Sequence, residues 1–485
     1  MKSSKWRFVH RFILPVAMIL SLGPLVAAAQ TPTPIQFRGV SIPRKLTLAQ
    51  AEQLLLQRNL AVLAAKYQVD ALRAARLIAS FRPNPTLTLG GEQFILSSAF
   101  FRNFFRTNTN TAAETTYTIR YEQLIERGGK RELRAELANY QLDAGAAQML
   151  DAVRRELYQL QQAFTNAALA RDNLLLAEAT KQEYDQTIKV TEARVENGDL
   201  ARVELYRAQM AALPYQQAVQ QARTSYQQAT HDILNLLGAR VEDVALKRPA
   251  GPENKTQIVQ ASFHTIDSGN GAIDPDRGAS SNLEPGDAPL EIDFKFDDRP
   301  ISQTLAELRA TALAERPDVI ASRRLHDAAA KAVALARARR SRDLVMGVFY
   351  QHIGSDNTAG VNVSFPLLVY DKGYAAISQA QAQQESAVSL ARDAELQAVT
   401  DVEKAYLAYQ SARRILNIYS SSTIERAGRL KTIAAFSYKE GATSLLELLE
   451  AERSYNQTIS SYNQARADYQ AALWLLEQAI GRPLR

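Results

Sequence analysis

From Thr47 the apolar residues recur at helical spacing: Leu48, Ala51, Leu55, Val62, Leu63, Val69 and Leu72 fall at steps of three and four. The pattern predicts a helix that Phe81-Arg82-Pro83-Asn84-Pro85 must end, because proline lacks the ladder donor and disfavours helical backbone before it. The period then drops to two. Thr86-Leu87-Thr88-Leu89 alternates, and further on Tyr117, Ile119 and Tyr121 share one face while Thr118, Arg120 and Glu122 share the other. Phe94, Phe100, Phe101, Phe104, Phe105, Asn108 and Asn110 lie in the loop between them, so the two runs predict a β-hairpin.

Gly128-Gly129 closes the hairpin and Lys130 opens a helical pattern that reaches Asn197 with no proline and one glycine, Gly145. Its nearly 70 residues would span on the order of 100 Å. Asn197-Gly198-Asp199 is a turn signal, and a second helix runs back to Leu237 with a kink expected at Pro214. Such a pair is too long for a globule and predicts an antiparallel coiled hairpin. Residues 239–300 lose the helical period: Pro252, Ser268-Gly269-Asn270-Gly271, Gly278 and Pro285-Gly286 mark a loop-rich linker.

The same order then returns. A helix is expected over about 301–340, a strand over 344–350, a tight turn at Gly354-Ser355-Asp356-Asn357 and a return strand over 361–365. Pro366 ends that strand, a proline-free helix runs from Lys372-Gly373 to Glu440, and after Gly441-Ala442 a last helix ends near Ile480. Gly198 and Gly441 are 243 residues apart, and at that offset Gln221-Ala222-Arg223 falls on Gln464-Ala465-Arg466, Glu204-Leu205 on Glu447-Leu448 and Gly238 on Gly481. The chain is a tandem duplication, with copies at 47–238 and 301–485.

Residues 1–29 carry Lys2, Lys5, Arg7 and Arg11, an apolar run and Ala27-Ala28-Ala29, the layout of a secretory signal peptide. Residues 30–46 read as an extended lead-in. The formal charge of +6 shrinks once the four basic residues of that leader are set aside, leaving 53 against 51. The charges are interspersed as on solvated helix faces, so no nucleic acid is expected. With no cysteine, disulfides, thiolate metal sites and an N-terminal lipidated cysteine are excluded.

No later stretch offers the roughly 20 apolar residues of a spanning helix. An exported chain without such a helix is either soluble or a β-barrel, and strands that lie in a membrane must have their edges paired. Two hairpins give four strands, and even small barrels need about eight. Several copies must pool their strands, and three would give twelve.

Arg82-Pro83-Asn84-Pro85 before the first strand, Gly128-Gly129-Lys130-Arg131 after the second, Arg316-Pro317-Asp318-Val319, Phe365-Pro366-Leu367 after the fourth and Tyr438-x-x-Gly441 at the second tip occur in that order within a duplicated chain. In this the chain resembles the TolC family of outer-membrane efflux proteins over nearly the whole sequence after the leader. The Gly-Gly-Lys-Arg element resembles the heavy-metal cation branch, the CzcC and CusC type.

The resemblance implies a mainly α fold with a membrane β-barrel portion. Its two repeats each read helix, β-hairpin and long antiparallel helical hairpin, and a homotrimer closes a 12-stranded barrel. It implies a place in the bacterial outer membrane, in contact with its lipid and extending into the periplasm, and partnership with a periplasmic adaptor protein and an inner-membrane pump. The expected function is a passive conduit for small solutes, heavy-metal cations or drugs. A type I-like protein secretion channel and a soluble periplasmic coiled-coil scaffold are the alternatives.

Catalysis leaves no mark. His231, His264, His326 and His352 are not at ligand spacing, and no phosphate loop or nucleophile–base grouping occurs. No enzyme activity, metal or cofactor is expected. Channels work by rings of charge and by docking surfaces. Glu447 and Glu450 are one helical turn apart after Gly441, and the resemblance makes them the candidate periplasmic gate. In the first copy Arg207 stands where Glu450 would fall. Arg194, Gly198, Asp199, Tyr438, Gly441 and Thr443 are the candidate adaptor-docking tips. Phe94, Phe100, Phe101, Phe104 and Phe105 are expected to form an aromatic girdle or lid.

Overall fold

The computed structural model describes residues 42–92, 116–245, 288–367 and 369–484. Two short strands, β1 (Ile42–Pro43) and β2 (Lys45–Thr47), lead into α1 (Leu48–Arg58) and α2 (Leu60–Ser80). The hairpin strands β3 (Thr86–Glu92) and β4 (Thr116–Ile125) follow, then the 67-residue α3 (Lys130–Glu196) and its return partner α4 (Arg202–Leu236). Strands β5 (Val244–Ala245) and β6 (Glu291–Asp293) separate the copies. The second copy comprises α5 (Leu305–Glu315), α6 (Pro317–Ala338), β7 (Leu344–Ile353), β8 (Asp356–Ser364), α7 (Tyr374–Ile418), α8 (Ser421–Lys439) and α9 (Leu445–Ile480).

The duplication is visible as repeated architecture, with three departures from the helices expected. The first helix of each copy is broken in two. In the first copy Asn59 leaves helical geometry (φ −60°, ψ 125°), caps α2 by accepting from the Val62 N–H at 3.0 Å, and donates to the Leu236 carbonyl at 2.9 Å. In the second, Arg316 takes the same geometry (φ −63°, ψ 124°) before Pro317, which suits a first helical position. Gly238 and Gly481, which end α4 and α9, sit against these two breaks. A Cβ on Gly238 would lie 2.9 Å from the Arg58 carbonyl, and one on Gly481 would lie 3.1 Å from the Arg316 Cα.

The third departure divides the expected helix over 373–440 at Tyr419–Ser420. Neither proline nor glycine causes it. Ser420, Ser421, Ser422 and Thr423 carry hydroxyls that compete for backbone groups, and the Thr423 hydroxyl donates to the freed Ile418 carbonyl at 3.3 Å. Conversely, α4 runs through Pro214 as one element.

The linker is also more ordered at its ends than its composition suggests. β5 pairs parallel with β1 and β6 with β2, so the lead-in and the linker are stitched together. Ile42, Leu46, Leu290 and Ile292 there join Leu160, Phe164, Ile233 and Leu237 of α3 and the α4 end in one buried cluster. A second core holds Leu308, Tyr409, Tyr469, Leu473 and Leu476 between α5, α7 and α9. Among the described residues no helix is long and apolar enough to cross a membrane.

Candidate functional site

The four long strands form a single antiparallel sheet in the order β3-β4-β7-β8. Its register sorts the two faces by chemistry. Leu87, Tyr121, Val348 and Val361 make one cross-strand row, and Leu89, Ile119, Tyr350 and Ala359 the next. The large apolar members of these rows are exposed. The opposite face carries Thr86, Glu122, Gly347 and Asn362 in one row, with the Asn362 amide donating to Glu122 at 3.0 Å. β4 and β7 have 10 residues each and β8 has 9, the length that a tilted strand needs to cross a bilayer. One face suits lipid and the other water.

Where the strands pass into helices, the two copies are bolted together. Lys130 is buried, and its ammonium donates to the Ser341 carbonyl at 2.6 Å and to Asp343 at 2.8 Å. The Arg127 N–H reaches the same carboxylate at 2.9 Å. Burial pulls the Asp343 pKa upward, but Lys130 and the Arg127 N–H outweigh it and hold the group below its ordinary value. Arg134 adds a forked pair to Glu126 at 2.6 and 3.1 Å. The Gly-Gly-Lys element is therefore a joint between the copies, which spacing alone did not reveal.

At the other end of the long helices the two tips are built alike. Gly198 and Gly441 both adopt positive φ (86° and 77°), which costs a residue with a side chain about 1–2 kcal/mol. The next N–H reaches back in each case: Asp199 to the Arg194 carbonyl at 2.9 Å, Ala442 to the Ser437 carbonyl at 2.8 Å. Arg194 and Tyr438 join the two tips. The Arg194 guanidinium donates to the Tyr438 carbonyl at 2.9 Å and lies 5.4 Å from its ring centre, while the Tyr438 and Thr191 hydroxyls are 2.7 Å apart.

Tyr438 is buried with Ala208, Leu445 and Leu448, so it braces the tips from inside. Gly198, Asp199 and Gly441 are exposed and Thr443 is half-buried. Of the six tip residues, the structure brings together Arg194, Tyr438 and Gly441.

Glu447 sits in the first turn of α9, capped by Ser444, whose hydroxyl accepts from the Glu447 N–H at 3.3 Å. A carboxylate there is favoured by the helix dipole. Glu450 is one turn on, and both are exposed. Among the described residues neither is held in an ion pair, whereas Glu204 of the first copy is bound by Arg207 at 2.8 Å. Phe94, Phe100, Phe101, Phe104 and Phe105 lie outside the described residues.

Sequence reasoning missed the seam between α3 and α9, because hydrogen-bonding side chains there look like ordinary surface positions. Thr180 donates to Asn456 at 3.0 Å, Trp474 to Thr165 at 3.1 Å, and Glu452 is buried beside Tyr184. Among the described residues no group of three or more His, Asp or Glu is placed to hold a metal ion.

The described fold matches known proteins on three counts. The family description Outer membrane efflux protein fits residues 52–239 and 308–482, one span in each copy. Nodulation protein T of Rhizobium leguminosarum bv. trifolii is 23% identical over 438 residues, covering 88% of this chain and 83% of that protein. The alkaline protease secretion protein AprF of Pseudomonas aeruginosa is 24% identical over 328 residues, 65% of this chain and 59% of that one. Among solved structures, the open-state MtrE outer membrane channel of Neisseria gonorrhoeae superposes with a TM-score of 0.67 at 16% identity, covering 92% of this chain and 90% of that one. Two helical hairpins, an amphipathic sheet and a family match spanning both copies lead to one assignment: the chain belongs to the outer membrane efflux protein family, whose members are outer-membrane transport channels and not enzymes.

Proposed function

We propose that three copies of this chain close into one conduit that carries small solutes from an inner-membrane pump and a periplasmic adaptor to the outside. The observation that carries this reading is the sheet with two open edges. β3 and β8 each pair on one side only, among the described residues. Open edges are not tolerated in lipid, so the β8 of one copy must pair with the β3 of the next. The alternation of strand direction is preserved across that junction. Two copies would give eight strands, a barrel whose interior side chains fill. Three is the smallest number that leaves a lumen.

The helices support the same closure. α3 packs against α4 and against α9, and α9 packs against α8. On α4 the exposed Val203, Tyr206, Met210 and Leu213 form a stripe at steps of three and four. On α8, Leu430, Ile433 and Phe436 form another. Such stripes are the seams of coiled coils, and neighbouring copies cover them. The protein extracted in detergent should be a trimer by light scattering, recovered with the outer membrane. A monomer, or recovery in the soluble periplasm, contradicts the reading.

The tips are the adaptor-docking end. Gly441→Val forces a branched residue into positive φ at a surface the core does not need. It should leave the trimer intact and reduce adaptor crosslinking and efflux-dependent resistance severalfold. If the variant instead fails to trimerise, the tip belongs to the folding core and the docking role is wrong.

A second reading, protein secretion, is favoured by the likeness to AprF. A strain lacking the chain separates the two. Loss of tolerance to solutes supports efflux, and loss of a secreted protein from the medium supports secretion.

A further inference from the structure

The seam between α3 and α9 has a layer of different character close to the tips. Glu452 of α9 is 4% exposed, and among the described residues its Oε2 has no hydrogen-bond partner. From α3, Tyr184 lies beside it and Glu183 presents a second carboxylate. Lys431 of α8, the cation that acts on Glu452 among the described residues, is already held by Glu183 at 2.6 Å and lies 4.3 Å from the centre of the Tyr455 ring. From α4, Tyr215 stacks on Tyr184 at 4.2 Å, their hydroxyls 3.2 Å apart. If Glu452 were ionised, a second negative charge would lie next to Glu183 and compete with it for Lys431.

Protons have a way in. Thr180 and Asn456 stand one turn away from Tyr184 and Glu452, and with Tyr215 they line a groove of about 820 Å³ between α3, α4 and α9. Its walls mix amides and hydroxyls, among them Asn173, Gln221 and Ser460, with leucine and alanine side chains. Water can therefore stand within a turn of the buried carboxyl.

We propose that Glu452 is a proton-operated latch on the α3–α9 seam: with its carboxyl neutral the second hairpin is held against the first, and with its carboxyl ionised the seam loosens and the α8–α9 arm is released. Burial first, and the Glu183 charge second, push the Glu452 pKa up to about 7 from an ordinary 4.5, against the opposing pull of Tyr184 and Lys431. The sign follows from that direction. The packed seam holds the proton more tightly than the opened one, so its contribution is complete below pH 4.5 and is lost as the pH rises through 7. One proton gives at most about a tenfold change in the released population per pH unit over that window.

The chain contains no cysteine, so spin labels can be placed singly at the exposed Glu192 and Lys439, one on each hairpin. Labelled chain diluted with unlabelled chain in detergent gives the separation by pulsed electron resonance between pH 4.5 and 8. The wild type should pass from a short to a long, broad separation as the pH rises. Glu452→Gln, which keeps the shape and cannot ionise, should stay short throughout. Glu183→Gln removes the repelling charge and frees Lys431, so its transition should move to lower pH. Wild-type separations that are the same at both ends of the range, or a Glu452→Gln variant that opens like the wild type, overturn the proposal. Should that variant fail to fold, a Glu183→Gln transition at the wild-type pH overturns it as well. The measurement reads hairpin separation and not transport, so its outcome is independent of the cargo.

Discussion

Arg316→Met is expected to destabilise the folded chain by about 3–5 kcal/mol, the range for removing one partner of a buried ion pair. Arg316 is 3% exposed at the break between α5 and α6. Its guanidinium donates to Asp318 at 2.7 and 3.0 Å, to Asp401 of α7 at 3.0 Å and to the Ala479 carbonyl near the end of α9 at 3.2 Å. One side chain thus ties together the four helices that frame the second copy. Methionine keeps an unbranched stem and tolerates the same backbone, but it lacks the guanidinium and so leaves two carboxylates and a carbonyl without that donor.

The pH dependence of the loss has a definite sign. Burial pulls the Asp318 pKa upward, yet the hydrogen bond and charge of Arg316, with help from Arg154, hold it below 3.8. A depressed carboxylate contributes stability above its unfolded pKa and loses it as the pH falls through the folded value. The deficit of Arg316→Met should therefore be full at pH 7 and narrow below about pH 4, as Asp318 takes up a proton and no longer needs a cation. Adding Asp318→Asn and Asp401→Asn to the variant should recover part of the loss at pH 7. Denaturant unfolding in detergent at pH 7 and pH 3 checks both statements; an equal deficit at the two pH values contradicts them.

Arg316 also shows what the sequence could and could not say. Arg316-Pro317-Asp318-Val319 was visible as a familiar element, and Pro317 by itself predicts a boundary. The matching break at Asn59 carries no proline. The apolar spacing of α1 and α2 continues in phase across one non-helical residue, so periodicity ran straight through it. The strands were legible because β3, β4 and β8 alternate, β7 is a short apolar run, and glycine or proline lies near their ends. The tip glycines were legible because a reversal between two long helices needs positive φ. By contrast, Thr180, Asn456 and Glu452 are polar residues at helical spacing, indistinguishable in one sequence from solvated positions. What places them on a buried seam is the packing of α3 against α9, which joins residues hundreds of positions apart. The partners of Lys130 were hidden for the same reason, since Ser341 and Asp343 belong to the other copy.

Glu447→Gln combined with Glu450→Gln is expected to lower cation selectivity and abolish block by a trivalent cation added from the periplasmic side. The two carboxylates are exposed on one helix face, unpaired among the described residues, at the tip end of α9. In the proposed trimer each residue becomes a ring of three, so six carboxylates would face a narrow space around the axis. Like charges there repel more strongly than in bulk water because the effective dielectric falls, and a multivalent cation relieves that repulsion. Rings of carboxylates in pores favour cations for this reason. Glutamine keeps the side-chain size, and the Ser444 hydroxyl still caps α9 through the backbone N–H of residue 447, so the fold should persist. Only the dipole contribution of the Glu447 charge is lost, about 0.3–1 kcal/mol. The first copy supplies the control: Glu204 is bound by Arg207, so Glu204→Gln should change selectivity little. Planar-bilayer recordings of the three proteins decide the matter. If the double variant keeps wild-type selectivity and wild-type block, Glu447 and Glu450 are solvated helix positions and the constriction is formed by other residues.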